Sequence, residues 1–391
     1  MNLALSDEQV FLREAARGAL SRFKTLEAAR EALDTQKAGT GGDENALPDL
    51  WPTAREAGWP GLLIDEAHGG AGLDAFDAML VLGECGRVLA GIPLLGHLPA
   101  TAILGDGAGG PGQSEFLADL ATGERRAAYL PAQPPSELDE HWSTDPASGL
   151  GRGSLPSAAA AGDDGRVPVT GRFAFVPDAP GADTLVGAAL LDGKPVGVAI
   201  LADAPGVSIE PVSRYDATRS LGHVTLENAP AVVLDAPEES LAAAWYLAQA
   251  LIAAESLGSV ETALDVSVAY AKERFTFGRA IGSYQAVKHS LTEVLRQLEN
   301  GRSLLYYAGW ARAGAPAEFA LAASAARSVG GRALDTAART MISVHGGIGA
   351  TWEHDAPLYF RRAQLSRRLL GGTAQATDRV AGELIAQADA A

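Results

Sequence analysis

Apolar positions recur at two periods along the chain, and the change of period divides it into three. Up to about residue 125 the repeat is helical. Ser6 and Gln9 have the spacing of a capping box, and Val10, Phe11, Ala15 and Leu20 continue it as one stripe. Residues 73–89 repeat that pattern and close near Gly91 and Pro93. The stretch between these helices, WPTAREAGWPGLLIDEAHGGAGLD (51–74), carries Gly-Gly and Pro-Gly turn signals around a short apolar strand or turn at 62–64. From about 126 to 235 the period falls to two. Residues 167–175, 184–191, 195–201 and 223–226 alternate or run apolar between Gly, Pro and Asp, which predicts an antiparallel β region. Residues 146–165, rich in Gly, Ser, Ala and Pro, read as an exposed flexible loop.

From about 236 the helical period returns. Residues 238–273 contain no Pro and one Gly, so one helix on the order of 50 Å long is expected. Residues 284–313, 316–344, 352–370 and 373–388 follow with the same texture. The expected fold is α+β in three domains: all-α over 1–125, antiparallel β over 126–235 and a four-helix bundle over 236–391.

Composition narrows the function classes. Of 391 residues, 47% are hydrophobic and 20% charged, enough to build a core and incompatible with a disordered polymer. A net charge of −17 argues against nucleic-acid binding through phosphate attraction. The last 124 residues run the other way, with 15 Lys/Arg against 10 Asp/Glu, which points to a local anionic ligand. The single cysteine, Cys85, excludes a disulfide scaffold and a cysteine zinc site and reads as a small core residue; no metal site is expected. The N-terminus lacks the charge and apolar pattern of a signal peptide, and no apolar run reaches the length of a membrane span. A cytoplasmic protein with no membrane segment is the expectation.

Two segments could carry chemistry. GGIG (346–349) lies between helices, where its backbone could approach a phosphate closely; no strand precedes it, so it is not a βαβ dinucleotide fingerprint. ERFTFGRAIGSYQAVKH (273–289) places Arg274 and Arg279 around Thr276 and Phe277 at the end of the long helix. Arginine can hold a pyrophosphate bidentately, Thr adds a hydroxyl, and Phe can stack on a planar ring. The plainer readings are an interhelical turn and a basic helix C-terminus complementing its dipole.

Together with AGWPGLLIDEAHGGAGLD (57–74), HGGIGATWEHDAPLYFRRA (345–363) and LGGTAQ (370–375), these segments resemble the acyl-CoA dehydrogenase family, in order and over almost the whole chain. The resemblance implies FAD as cofactor, tetrameric assembly, and oxidation of an acyl-CoA thioester to the 2,3-enoyl-CoA. That chemistry needs a carboxylate base for the α-proton, donors on the thioester carbonyl, and a flavin placed to accept hydride. For the adenosine-pyrophosphate half, which the family grips from a neighbouring subunit, the resemblance implies Arg274, Thr276, Phe277, Gly278, Gln285, Gly346, Gly347 and Gly349. Ser343 stands where the glycine motif usually begins with Gln, and Thr373 and Gln375 are implied from the last motif.

The catalytic half departs from the family. The flavin-facing loop corresponds to YLPAQPP (129–135), which lacks the usual hydroxyls, and Phe175, Val176, Pro177 and Asp178 replace a Trp-Ile-Thr-Asn element. The two positions at which members carry the base are Gly371 and Ala248 here; Glu255, two turns along the same helix, is the remaining candidate for a displaced base. RYDATR (214–219) departs from the usual Gly-x-Arg-x-Ser pattern. His345 is a candidate neighbour of FAD, Asp355 reads as first-turn charge compensation, and Arg361, Arg362, Arg367 and Arg368 as a solvated face or a contact to CoA phosphates or another subunit. Within the family, heteromeric α2β2 members divide these duties. The pattern therefore fits a non-catalytic or weakly catalytic subunit that shares an FAD site with a paralogous partner, by analogy in sterol-type acyl-CoA oxidation. The alternatives are a homotetrameric dehydrogenase using Glu255 and a flavin oxidase or monooxygenase on the same fold.

Overall fold

A computed structural model describes residues 4–38, 47–106, 113–136, 139–144, 154–162 and 165–389. Much of the 146–165 loop lies outside the described residues. The N-terminal layer consists of α1 (Asp7–Leu20), α2 (Thr25–Ala38), α3 (Trp51–Glu56), α4 (Ala75–Arg87), α5 (Leu94–Asp106) and α6 (Gln113–Thr122). The capping box forms as expected: Ser6 Oγ accepts the Gln9 N–H at 3.2 Å, and Gln9 Oε1 accepts the Ser6 N–H at 3.1 Å. A second box, Asp74 with Asp77, starts α4. Helix α5 is buried on every side from Leu94 to Leu104, as an apolar sequence without a polar face requires. Residues 62–64 form turns, with no strand.

The middle layer contains β1 (Ala127–Tyr129), β2 (Ser157–Ala158), β3 (Val167–Pro177), β4 (Thr184–Leu191), β5 (Lys194–Leu201), β6 (Val207–Pro211) and β7 (Leu221–Leu234). The expected all-antiparallel arrangement is corrected. Both β1 and β2 run parallel to β4. The pairings β4–β2, β2–β3, β3–β7, β7–β5 and β5–β4 form a closed ring, around a second core that includes Val169, Phe173, Leu185, Ile200 and Val224. Parallel pairing needs distant segments to meet, so no local turn signal announces it.

The C-terminal layer is α7 (Glu238–Glu273), a hairpin of β8 (Phe275–Thr276) and β9 (Arg279–Ala280), then α8 (Gln285–Gly314), α9 (Pro316–His345), α10 (Ala356–Ser366) and α11 (Gly372–Asp389). Helix α7 is long and apolar enough to cross a membrane by composition, but most of its apolar stretch is buried as the axis of the molecule. It meets α4 backbone to backbone. A Cβ on Gly86 would collide with the Glu255 carbonyl, and one on Gly258 with the Gly83 carbonyl. Ser259 Oγ donates to the Gly86 carbonyl at 2.7 Å and locks the crossing. Helix α10 is shorter than the expected 352–370, because Pro357 starts it late and Leu370 turns left-handed. Asp355, expected to compensate a helix dipole, instead ion-pairs with Arg30 of α2.

Candidate functional site

Most of the residues expected to hold a dinucleotide collect at one end of the bundle. Residues 276–279 make a two-residue hairpin in which Phe277 and Gly278 both have positive φ, +51° and +78°. That combination belongs to a type I′ turn, and a bulky Phe is an unusual occupant. Nothing covers it: Phe277 is 93% exposed, and Phe275, Arg274 and Thr276 are exposed beside it. The hairpin is braced from below. The Tyr284 hydroxyl donates to the Thr276 carbonyl at 3.2 Å, and the Arg279 guanidinium lies 3.9 Å from the centre of the Tyr284 ring. Gln285 opens α8 next to it, exposed.

The glycine turn stands at the same end. Tyr270, in the last turn of α7, stacks on His345 at 4.3 Å, and His345 in turn lies 4.1 Å from His354. His345 is buried, and its Nδ1 donates to the Met341 carbonyl at 2.7 Å, so its placement is structural. Beyond it Gly346 adopts φ 62° and ψ −134°, a conformation open to glycine alone, and neither Gly346 nor Gly347 has any atom within 4 Å of a would-be Cβ. Ser343 is exposed, whereas Gly349 is buried under the turn.

Thr373 and Gln375 are elsewhere. They sit at the opposite end, where α11 begins, about 35 Å away along α7 at 1.5 Å per residue. Here Leu370, Gly371 and Gly372 have φ of 49°, 79° and 72° in succession. The turn is clamped from beneath. Gln249 Nε2 donates to the Leu370 carbonyl, and Arg327 Nη2 to the Ser366 and Leu369 carbonyls, the latter at 3.1 Å. Arg327 is fully buried without a carboxylate partner, and burial pushes its guanidinium down to about 9. Gln375 folds back so that its Oε1 occupies the space of a side chain at Gly371, with Trp245 Cζ2 3.1 Å from the same point. Ala248 is fully buried. What remains is a small cavity of about 30 Å³, lined by Gln133, Trp245, Gln249, Gln375 and Asp378 among others.

The Glu255 candidate is corrected by its surroundings. It is 5% exposed, and each carboxylate oxygen carries a guanidinium, Oε2 that of Arg219 and Oε1 that of Arg362. Arg362 also binds Asp216 at 2.9 Å and the Thr218 carbonyl at 2.8 Å. Burial would raise Asp216, but Arg362, Thr218 and Arg219 outweigh it and hold its carboxyl below the usual range. A buried carboxylate ion-paired through both oxygens is committed to its guanidiniums and is poorly placed to take a carbon-bound proton. RYDATR thus supplies three members of a buried network, and Arg362 is no part of a solvated face. Its neighbour Arg361 is half-buried and donates to the Tyr215 carbonyl at 2.6 Å. The Phe175–Asp178 strip is also committed elsewhere. Asp178 Oδ2 accepts the Gly96 N–H at 2.8 Å, joining the β layer to the first turn of α5, and burial pushes its carboxyl up to about 6.

Comparison with known proteins bears on both ends. The acyl-CoA dehydrogenase N-terminal domain model matches residues 6–131, and the C-terminal domain model matches residues 244–385. IpdE2, an acyl-CoA dehydrogenase of Mycobacterium tuberculosis (strain ATCC 25618 / H37Rv), is 30% identical over 97% of this chain and 98% of its own. The chain belongs to the acyl-CoA dehydrogenase family. Acyl-CoA dehydrogenase FadE34 of the same organism is 32% identical over 97% of this chain, which spans only 48% of FadE34. A solved variant of the Tcur3481-Tcur3483 steroid ACAD superposes with a TM-score of 0.81 at 27% identity, over 98% of this chain and 99% of that one. The ChsE4-ChsE5 complex of M. tuberculosis, at 23% identity and a TM-score of 0.80, shares the fold.

Against the family's cofactor the two ends behave oppositely. The hairpin end fits an adenosine-pyrophosphate: it offers a free aromatic face, arginine, a hydroxyl and glycine backbone without steric cover. The α11 end is filled instead: Gln375 Oε1 lies where a side chain at Gly371 would stand, and only a small cavity of about 30 Å³ remains beside it. Its unpartnered buried groups are of both kinds: the acceptors Gln249 Oε1 and Gln375 Oε1, and the donors Nε and Nη1 of Arg327 beneath the turn. The sequence leads to the expectation of no base at Gly371 or Ala248; it does not reveal Gln375 in the space beside Gly371, Gln249 beneath it, or Asp378 at the rim. The i, i+4, i+7 spacing of residues 371, 375 and 378 was the available signal for a shared helical face.

Proposed function

We propose that this chain is a subunit of a heteromeric acyl-CoA dehydrogenase, itself non-catalytic or weakly catalytic, which completes an FAD site held mainly by a paralogous partner. The observation that supports this most is the contrast between an open adenosine-binding end and a closed end without a base. Bound in the partner, the flavin supplies hydride acceptance. From this chain Arg274 neutralises the pyrophosphate, Phe277 covers the adenine ring, Thr276 adds a hydroxyl, and the Gly346–Gly347 backbone gives close approach. The proton at the substrate α-carbon falls to a carboxylate of the partner, because Glu255 is held by Arg219 and Arg362. The likeness to a steroid ACAD supports bulky sterol-type acyl-CoA thioesters as the substrates of the assembly. We place the domain boundaries between Thr122 and Ala127 and between Leu234 and Glu238, where the secondary structure changes class.

Flavin stoichiometry tests the reading. Produced alone, the chain should purify with little flavin; co-produced with an adjacent paralogue, it should yield about one FAD per heterodimer. A fully flavinated homotetramer that oxidises acyl-CoA overturns it.

A further inference from the structure

One side chain from outside the hairpin touches both of its strands. Thr276 and Arg279 are the paired residues on either side of the Phe277–Gly278 turn. The Tyr284 hydroxyl donates to the Thr276 carbonyl at 3.2 Å, and the centre of the Tyr284 ring lies 3.9 Å from the Arg279 guanidinium carbon. Tyr284 itself stands on a fixed base. Ile281–Ser283 form a short 3₁₀ turn, in which the Ile281 N–H donates to the Arg274 carbonyl at 2.8 Å and the Tyr284 N–H to the Ile281 carbonyl at 3.1 Å. A Cβ on Gly282 would come within 2.9 Å of the Ala271 carbonyl, so this turn rests directly on the end of α7.

We propose that Tyr284 is a positioning residue for the adenosine end, gripping both strands of the hairpin and so fixing the direction in which the Phe277 ring is presented. This role presupposes the shared-FAD reading given above. Phe277 is 93% exposed, so packing does not hold its ring, and the direction of the ring is set through the backbone. That backbone is left-handed at a bulky residue, a conformation that costs energy and persists only where its surroundings enforce it. Tyr284 supplies the enforcement at the two residues that flank the turn. A ring already in place does not have to be ordered when an adenosine arrives, and that saving is affinity. Both contacts are at the surface, so they add little to global stability; their effect is local order at the turn.

Flavin release on dilution of the co-purified complex, followed by fluorescence, tests this, with thermal unfolding of each variant in parallel. Tyr284→Phe keeps the ring under Arg279 and loses the hydroxyl; it should speed release about threefold, and Tyr284→Ala about tenfold, with unfolding midpoints close to wild type. In a Phe277→Ala background the ring to be positioned is gone, and Tyr284→Ala should add less than about twofold. A purely structural residue would contribute the same factor in both backgrounds. Unchanged release in both Tyr284 variants, or an effect of Tyr284→Ala that persists in full without Phe277, overturns the proposal. In either case faster release from Arg274→Ala leaves the shared-site reading standing. Unchanged release in both Arg274→Ala and Phe277→Ala removes that reading, and the role of Tyr284 with it.

Discussion

The two ends of helix α7 belong to one rigid element, yet they have opposite characters. At its C-terminus an uncovered Phe277 with positive φ and a bare glycine turn face outwards, with nothing from this chain lying over them. Towards its N-terminus the packing is closed: Gln375 Oε1 fills the space beside Gly371, and Gln249 holds the Leu370 carbonyl. Exposure at one end, with dense packing at the other, is the contrast on which the proposed half-site role rests. Strained backbone persists where the surroundings over-determine it, and here the brace is Tyr284 beneath the hairpin.

The comparison can be broken most directly at the open end. Arg274→Ala in the co-purified complex should cost on the order of 100-fold in FAD affinity, as a desolvated Arg–phosphate pair is worth roughly 2–5 kcal/mol. Flavin released on dilution, followed by fluorescence, measures it, and unchanged retention would assign the adenosine half to other residues. Between the two ends lies the Arg219–Glu255–Arg362 network. Glu255→Gln should lower stability by about 3–5 kcal/mol by leaving buried guanidiniums uncompensated. Denaturant unfolding reads that loss. Turnover per folded complex should stay near wild type, whereas its abolition with flavin still bound would restore Glu255 as the base.

Asp178 gives a smaller effect with a defined pH window. Its folded value, about 6, lies above the ordinary 3.8, so the stability its protonation contributes is present below about pH 3.8 and is lost as pH rises through 6. Asp178→Asn keeps an acceptor for the Gly96 N–H and removes the buried charge. It should therefore stabilise the chain at pH 7.5, on the order of 2–3 kcal/mol, with the gain shrinking toward zero at pH 4. Equal midpoints of mutant and wild type across that range would contradict the assignment. The smallest effect expected is Gly371→Glu. At φ +79° a side chain is strained, and it must displace the Gln375 amide, so the variant should lose about 1–2 kcal/mol and gain no dehydrogenase activity. Recovery of turnover in the isolated chain would show that the closed end opens easily.

Much of this was legible in the sequence, wherever the signal is local. The Ser6–Gln9 box forms with both of its bonds, and α7 spans Glu238–Glu273 as the absence of proline predicted. The three-layer order of helices, strands and helices follows from the change of period. What stayed hidden depends on distant partners. Glu255 looks like a lone carboxylate on an apolar helix until Arg219, 36 positions back, and Arg362, 107 positions on, are folded against it. The parallel pairing of β1 and β2 with β4, the closed ring, and the return of Gln375 onto Gly371 are likewise products of tertiary packing. Motif reading grouped Thr373 and Gln375 with the hairpin residues, because a sequence does not say which end of a long helix a later segment will reach.

The glycine contact between α4 and α7 also bears on how this chain could change over generations. Replacing Gly371 alters one turn. The crossing is different: at Gly86 and Gly258 main chain meets main chain, so any side chain added there would force two helices apart, and the N-terminal layer and the bundle could drift only together.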